Sequence, residues 1–138
     1  MAQPLFDHPR LPDWERRLNA WLLEPGREKF EYGVQDCALF GCGAVMAMTG
    51  VHPAPQFVGA YDDAASAAEA LRELGKGTLL KTFDQYFKRK KPAFAHRGDL
   101  VMAHKAIGVC MGANGVFLAE EIGLARLPRS AFVAAWKV

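Results

Sequence analysis

From Cys37 to Thr49 the chain carries no charged side chain. Wound at 3.6 residues per turn, that run is apolar on every side, and such a helix belongs inside a core. Asp36 stands just before it as an N-cap, and Gly50 just after it suits a left-handed C-cap. A buried helix starting at Asp36 is therefore expected at the centre of the fold. The run is too short to cross a bilayer and is interrupted by glycines. Cys37 falls in its first turn, where the helix dipole and free N–H groups favour a thiolate. Its backbone N–H is also placed to help hold an oxyanion. That is the layout of a cysteine nucleophile. The competing reading is packing, which is how most cysteines in apolar helices are used and how Cys42 is read.

At 138 residues the chain is read as one domain, 1–138, with a core that needs no staples. Three cysteines without a C-x-x-C spacing point to reduced thiols. No metal site and no cofactor are expected. The N-terminal residues lack a basic region followed by an apolar one, so no export signal is read there. Charge is divided unevenly. Residues 1–80 hold seven Lys/Arg against eleven Asp/Glu, a net of −4, and residues 81–138 hold ten against four, a net of +6. The cluster Lys88, Arg89, Lys90, Lys91 dominates the second part. It is read as a solvated loop, with a contact to phosphate or an acidic partner as the sharper alternative. No aromatic residue interleaves with it, so nucleic acid is not expected.

Taken in order, residues 1–12 form a proline-rich lead-in. Asp13 caps a helix to about Leu23, with Trp14, Leu18, Trp21 and Leu22 on one face. A charged linker, Arg27 to Glu31, leads to the central stretch. His52 lies in a loop. An alanine-rich helix runs from about Ala64 to Leu74, stopped by Gly75 and Gly77, and Thr78 caps another bearing Phe83, Tyr86 and Phe87. After Pro92 the periodicity turns strand-like. Arg97-Gly98-Asp99 reads as a turn before a strand from Leu100 to Ala103. Strands from Ala106 to Met111 and from Val116 to Ala119 are joined through Gly112-Ala113-Asn114-Gly115, in which Asn-Gly is a pair that tolerates positive φ. A short strand from Leu124 to Leu127, a helical turn at Pro128 to Ser130 and a closing strand from Ala135 follow. Helices first and antiparallel strands after argue an α+β fold, a helical layer on a small sheet.

The order of these pieces resembles the NlpC-type papain-like cysteine peptidases, small bacterial and phage murein endopeptidases. There an Asp-Cys pair opens the central helix, a Gly-Asp-Leu-Val strand follows, and the next strand bears the catalytic His in a His-Val-Gly pattern. The matching residues are Asp36-Cys37, Gly98-Asp99-Leu100-Val101 and Ala106-Ile107-Gly108. The chain is still more similar to an uncharacterised phage-encoded branch, through Tyr32-Gly33-Val34-Gln35-Asp36-Cys37, Ala44 to Gly50, Arg97 to Val101 and Ala135 to Val138.

The resemblance implies a papain-like fold, Cys37 as nucleophile, and Gln35 and Asp36 as oxyanion or support groups. It departs at Ala106, which occupies the position of the catalytic His and has no nitrogen to take a proton. His104 lies two residues earlier, on the same side if the strand reaches it, but shifted by roughly 6.5 Å. His96 is a weaker candidate. Two functions are therefore expected of such a chain. One is a phage or prophage tail-associated domain that has lost the Cys-His dyad and acts structurally or by binding. The other is an active endopeptidase cleaving cell-wall peptide or a tail protein, with His104 as base. Expected partners are other phage tail proteins and peptidoglycan peptide, with no membrane. The expected location is the cytoplasm during assembly and then the virion tail.

Overall fold

The computed structural model describes residues 3–138, and it is α+β. Four helices come first: α1 (Trp14–Leu23), α2 (Leu39–Thr49), α3 (Ala64–Leu74) and α4 (Leu79–Tyr86). Six strands follow: β1 (Lys88–Lys90), β2 (Leu100–Ala103), β3 (Ala106–Cys110), β4 (Asn114–Ala119), β5 (Gly123–Pro128) and β6 (Ala134–Lys137). They form one sheet in the order β1-β6-β2-β3-β4-β5, and every neighbouring pair is antiparallel. None of the described helices is long and apolar enough to cross a membrane.

The two-residue alternation of the strands sorts the core into two faces. Leu100, Ile107 and Trp136 pack with Cys42, Val45 and Phe83, while Val109, Val116 and Leu118 pack with Phe40, Met48 and Leu18. These clusters bury the helices on one face. On the other, Val101, Ala103, Cys110 and Phe117 lie under Ala95 and Phe132. Helix α2 sits closely between α1 and the sheet because it carries glycine where contact is tightest. A Cβ on Gly41 would lie 2.6 Å from Ile107 Cγ2, and one on Gly43 2.7 Å from Trp21 Cζ2. Each glycine costs about 1 kcal/mol of helix propensity, so these contacts explain their presence in an interior helix.

Helix ends follow their caps. Asp63 and Ser66 form a capping box on α3, and Thr78 accepts from the Lys81 N–H on α4. Asp13 precedes α1 but makes no cap bond. Its carboxylate is taken by Arg16 and Arg17 at 3.2 and 2.7 Å. Regular helix in α2 begins at Leu39, later than Asp36, although the Phe40 N–H already bonds to the Asp36 carbonyl at 3.0 Å. The Cys37 carbonyl accepts instead from the Ile107 N–H at 2.7 Å, which ties this first turn to β3.

Two further expectations are corrected. The basic cluster is not a loop: Lys88–Lys90 form the edge strand β1, because pairing with β6 outweighs the weak β-propensity of lysine. The turn between β3 and β4 has its positive φ at Gly112 (99°), while Asn114 and Gly115 already lie in β4. The consecutive non-glycine positive-φ residues are His104 (49°) and Lys105 (62°), the two-residue turn between β2 and β3.

Asp99 holds the sheet to both ends of the described chain. It is 2% exposed, and its carboxylate accepts from Arg10, Lys90 Nζ, the His96 N–H and the Val138 N–H at 2.8–3.2 Å. The turn at 97–99 is therefore a junction whose Gly98 and Asp99 are buried, with Arg97 at the surface. Removing one partner of a buried ion pair costs about 3–5 kcal/mol. Asp99→Ala is accordingly expected to lose at least about 3 kcal/mol in urea denaturation, with Arg10→Ala losing less because Lys90 remains.

Candidate functional site

Asp36 organises the segment around Cys37. Its carboxylate, 1% exposed, accepts four bonds: from the Ala38 and Leu39 N–H groups at 3.0 and 2.9 Å, from the Gly33 N–H at 2.9 Å and from the Tyr61 hydroxyl at 2.6 Å. The first two cap α2. The others close the turn before it and fasten the loop that leads to α3. Gly33 has φ +81°, and a Cβ there would lie 2.1 Å from the Tyr61 carbonyl oxygen, so the Tyr-Gly-x-x-Asp-Cys pattern has a steric reason. The Gly33 carbonyl accepts from the Gly59 N–H at 2.8 Å, completing the junction.

Cys37, half-buried, lines a pocket between α2, α3, α4 and the 53–61 loop. The walls are almost wholly apolar: Leu39, Ala54, Phe57, Leu71, Leu79, Phe83 and Phe87, with Tyr32 and Tyr61 beside Asp36. About 80 Å³ is open to the centres of water-sized molecules, room for a few of them at roughly 10–15 Å³ each. No histidine, lysine or arginine lines this pocket.

That environment sets the state of the thiol. Burial pushes Cys37 up to about 11, and the negative charges of Asp36 and Glu120 push the same way. The dipole argument for a thiolate fails because the Asp36 carboxylate already occupies the N–H groups of Ala38 and Leu39. Burial likewise raises Cys42 to about 12, and raises Tyr61, whose hydroxyl donates to Asp36. Tyr32 is raised by burial and by Glu120, to which its hydroxyl donates at 3.4 Å.

The other sequence-derived candidates do not converge here. His104 is exposed at the tip of the β2–β3 turn. The strand does not reach it, because positive φ at 104 and 105 turns the chain first. His96 is exposed and belongs to the Asp99 junction through its backbone. His52 accepts from the Ala54 N–H at 3.0 Å, a local loop bond. Gln35 is engaged by the preceding turn. Its amide nitrogen lies 2.9–3.2 Å from the Gly26, Arg27 and Lys29 carbonyls, and its oxygen accepts from Arg27 at 2.7 Å. Ala106, whose neighbour Ile107 bonds to the Cys37 carbonyl, packs against the cluster on the opposite sheet face. The basic cluster is divided: Arg89 pairs with Asp84 and Lys90 with Asp99, while Lys88 and Lys91 are exposed. Sequence reading missed Tyr61, the second partner of Asp36. No local pattern marks it, because it arrives from 25 residues away.

The Cys37 backbone N–H has no hydrogen-bond acceptor among the described residues. The arrangement thus retains one oxyanion donor and a thiol, but no base and no cation. No group of three or more His, Cys, Asp or Glu side chains among the described residues forms a metal site.

A family model described as Domain of unknown function (DUF6950) matches residues 9–138. No curated protein and no solved structure matches the chain.

The raised thiols carry a sign for stability. An unfolded cysteine loses its proton near about 8.5, whereas folded Cys37 keeps it to about 11. Above pH 8.5 the folded state therefore binds more protons, and stability falls as pH rises through that window. Urea melts at pH 7, 9 and 10.5 should show the fall, and Cys37→Ala should flatten part of it, with Cys42 and Tyr61 supplying the remainder.

Proposed function

We propose, for a chain that belongs to the DUF6950 family, a papain-like, NlpC-like domain without a working Cys-His dyad. It serves as a structural or binding component of phage or prophage tail assembly, made in the cytoplasm and carried in the virion tail where it is incorporated. The observation that carries the loss of activity is the thiol without a base. At about 11 for its pKa, Cys37 is thiolate in only about one molecule in ten thousand at pH 7, against a few per cent for an ordinary cysteine. The papain-like reading is supported by the Asp-Cys pair at the head of a buried helix and by the bond from the Ile107 N–H to the Cys37 carbonyl, which ties β3 to the first turn of that helix. The tail setting rests on the motif order it shares with the phage-encoded branch, a warrant by association.

On this reading the pocket is the part that does work. Its apolar walls take an aliphatic or aromatic side chain of a tail partner, and Asp36 and Glu120 disfavour an anion at Cys37. The free Cys37 N–H is what favours the alternative, an endopeptidase acting on cell-wall peptide or a tail protein. That chemistry requires a proton acceptor near the sulfur, and His104 is exposed at a turn.

His104→Ala tests the reading. In a domain without a working dyad, alkylation of Cys37 at pH 7 is expected to be slow in the parent and within about twofold of the parent in the variant, because no imidazole takes the thiol proton. Rapid alkylation of the parent at pH 6, abolished by His104→Ala, would instead establish the active reading.

A further inference from the structure

The lead-in and the β1 edge enclose a second cleft, lined by Phe6, His8, Arg10, Phe87, Lys88 and Lys137. Its outer wall is held by backbone. The Leu5 N–H bonds to the Gln85 carbonyl at 3.0 Å, and the Phe6 N–H bonds to the Tyr86 carbonyl at 3.1 Å. Its floor is aromatic, with the Phe6 ring 5.5 Å from Phe87 and 5.1 Å from His8. Its far side is cationic. Lys88 and Lys137 are directly opposite each other in the β1–β6 ladder, so both side chains stand on one face. Like charges in that relation are destabilising. Neither lysine has an ion-pair partner among the described residues, although Arg89 and Lys90 on the same strand do. Arg10 adds positive charge behind them, with its donors already given to Asp99, Arg97 and Val138. Asp7 is the acidic side chain of the cleft.

We propose that this cleft binds a small polyvalent oxyanion of the phosphate type, held directly by Lys88 and Lys137. Two exposed, directly cross-strand lysines without an ion-pair partner among the described residues attract a multiply charged anion, which accepts a charge-assisted hydrogen bond from each ammonium group. The His8 ring and the fixed lead-in bound the ligand on the other side. The sequence signal was the basic cluster, but its partner comes from the last strand, and two of its four members serve the fold. The site is independent of the reading given for Cys37.

The probes are inorganic pyrophosphate and glycerol 3-phosphate, titrated into the whole chain and followed by backbone amide shifts. Saturable shifts at His8, Arg10, Lys88 and Lys137 are expected, weakening as salt is raised. Lys88→Gln or Lys137→Gln should weaken binding by about tenfold or more, while Lys91→Gln, equal in charge change but outside the cleft, should leave it within about twofold. Preference for pyrophosphate would assign a free oxyanion and preference for glycerol 3-phosphate an ester, and either sustains the site. Without ligand, both cleft variants should melt at the same or a higher temperature than the parent, since each removes a repulsion. Non-saturable shifts, equal weakening in Lys91→Gln, or a lower melting temperature in both cleft variants would overturn the proposal.

Discussion

A single buried carboxylate, that of Asp36, fixes where the central helix starts, how the preceding turn closes and where the loop to α3 is fastened. An ionised carboxylate with 1% exposure is tolerable only when its lone pairs are bonded, and its four donors come from three separate segments. The same bonds bear on the chemistry of Cys37. Burial keeps the sulfur protonated, and Asp36 adds to it by occupying the helix's free N–H groups and placing negative charge beside the thiol.

Asp99 repeats the device at the other side of the sheet. It gathers Arg10, Lys90, the 96–99 turn and the backbone of Val138 around one carboxylate. Between these two anchors the packing is set by size: Trp136, fully buried, donates its indole N–H to Asp84 at 2.9 Å, and the glycines of α2 admit Ile107 and Trp21. The strand-edge cations are thereby divided into those that hold the fold and those left over. That division, and not the number of cations, makes Lys88 and Lys137 a candidate for binding.

Much of this was legible from local pattern. Helices α1, α3 and α4 follow from apolar spacing, the alanine-rich run and Thr78 as a cap, and β2 to β6 follow from the switch to two-residue alternation after Pro92. The strand at Lys88–Lys90 was not legible, because its stability comes from a ladder with residues about 50 positions later. The break between strands at 104–105 was legible, but the positive φ of His104 and Lys105 was not, since neither residue advertises it as Asn-Gly does. That turn removed His104 from the strand position on which a base role depended. Of the two roles expected of Gln35, oxyanion or support, its amide takes the second by serving three carbonyls of the 26–29 turn, a need that no spacing reveals. Asp36 was legible as a cap, whereas Tyr61 and the apolar pocket are products of tertiary packing.

The most direct measurement is the rate of Cys37 alkylation in the folded parent as a function of pH, read residue by residue by mass spectrometry beside Cys42 and Cys110. The account predicts a slow reaction at pH 7 that rises only towards pH 11, following the buried thiol. A midpoint below about 8.5, the value of an unperturbed cysteine, would contradict it, because a cation, a base or the helix dipole would then be stabilising the thiolate after all.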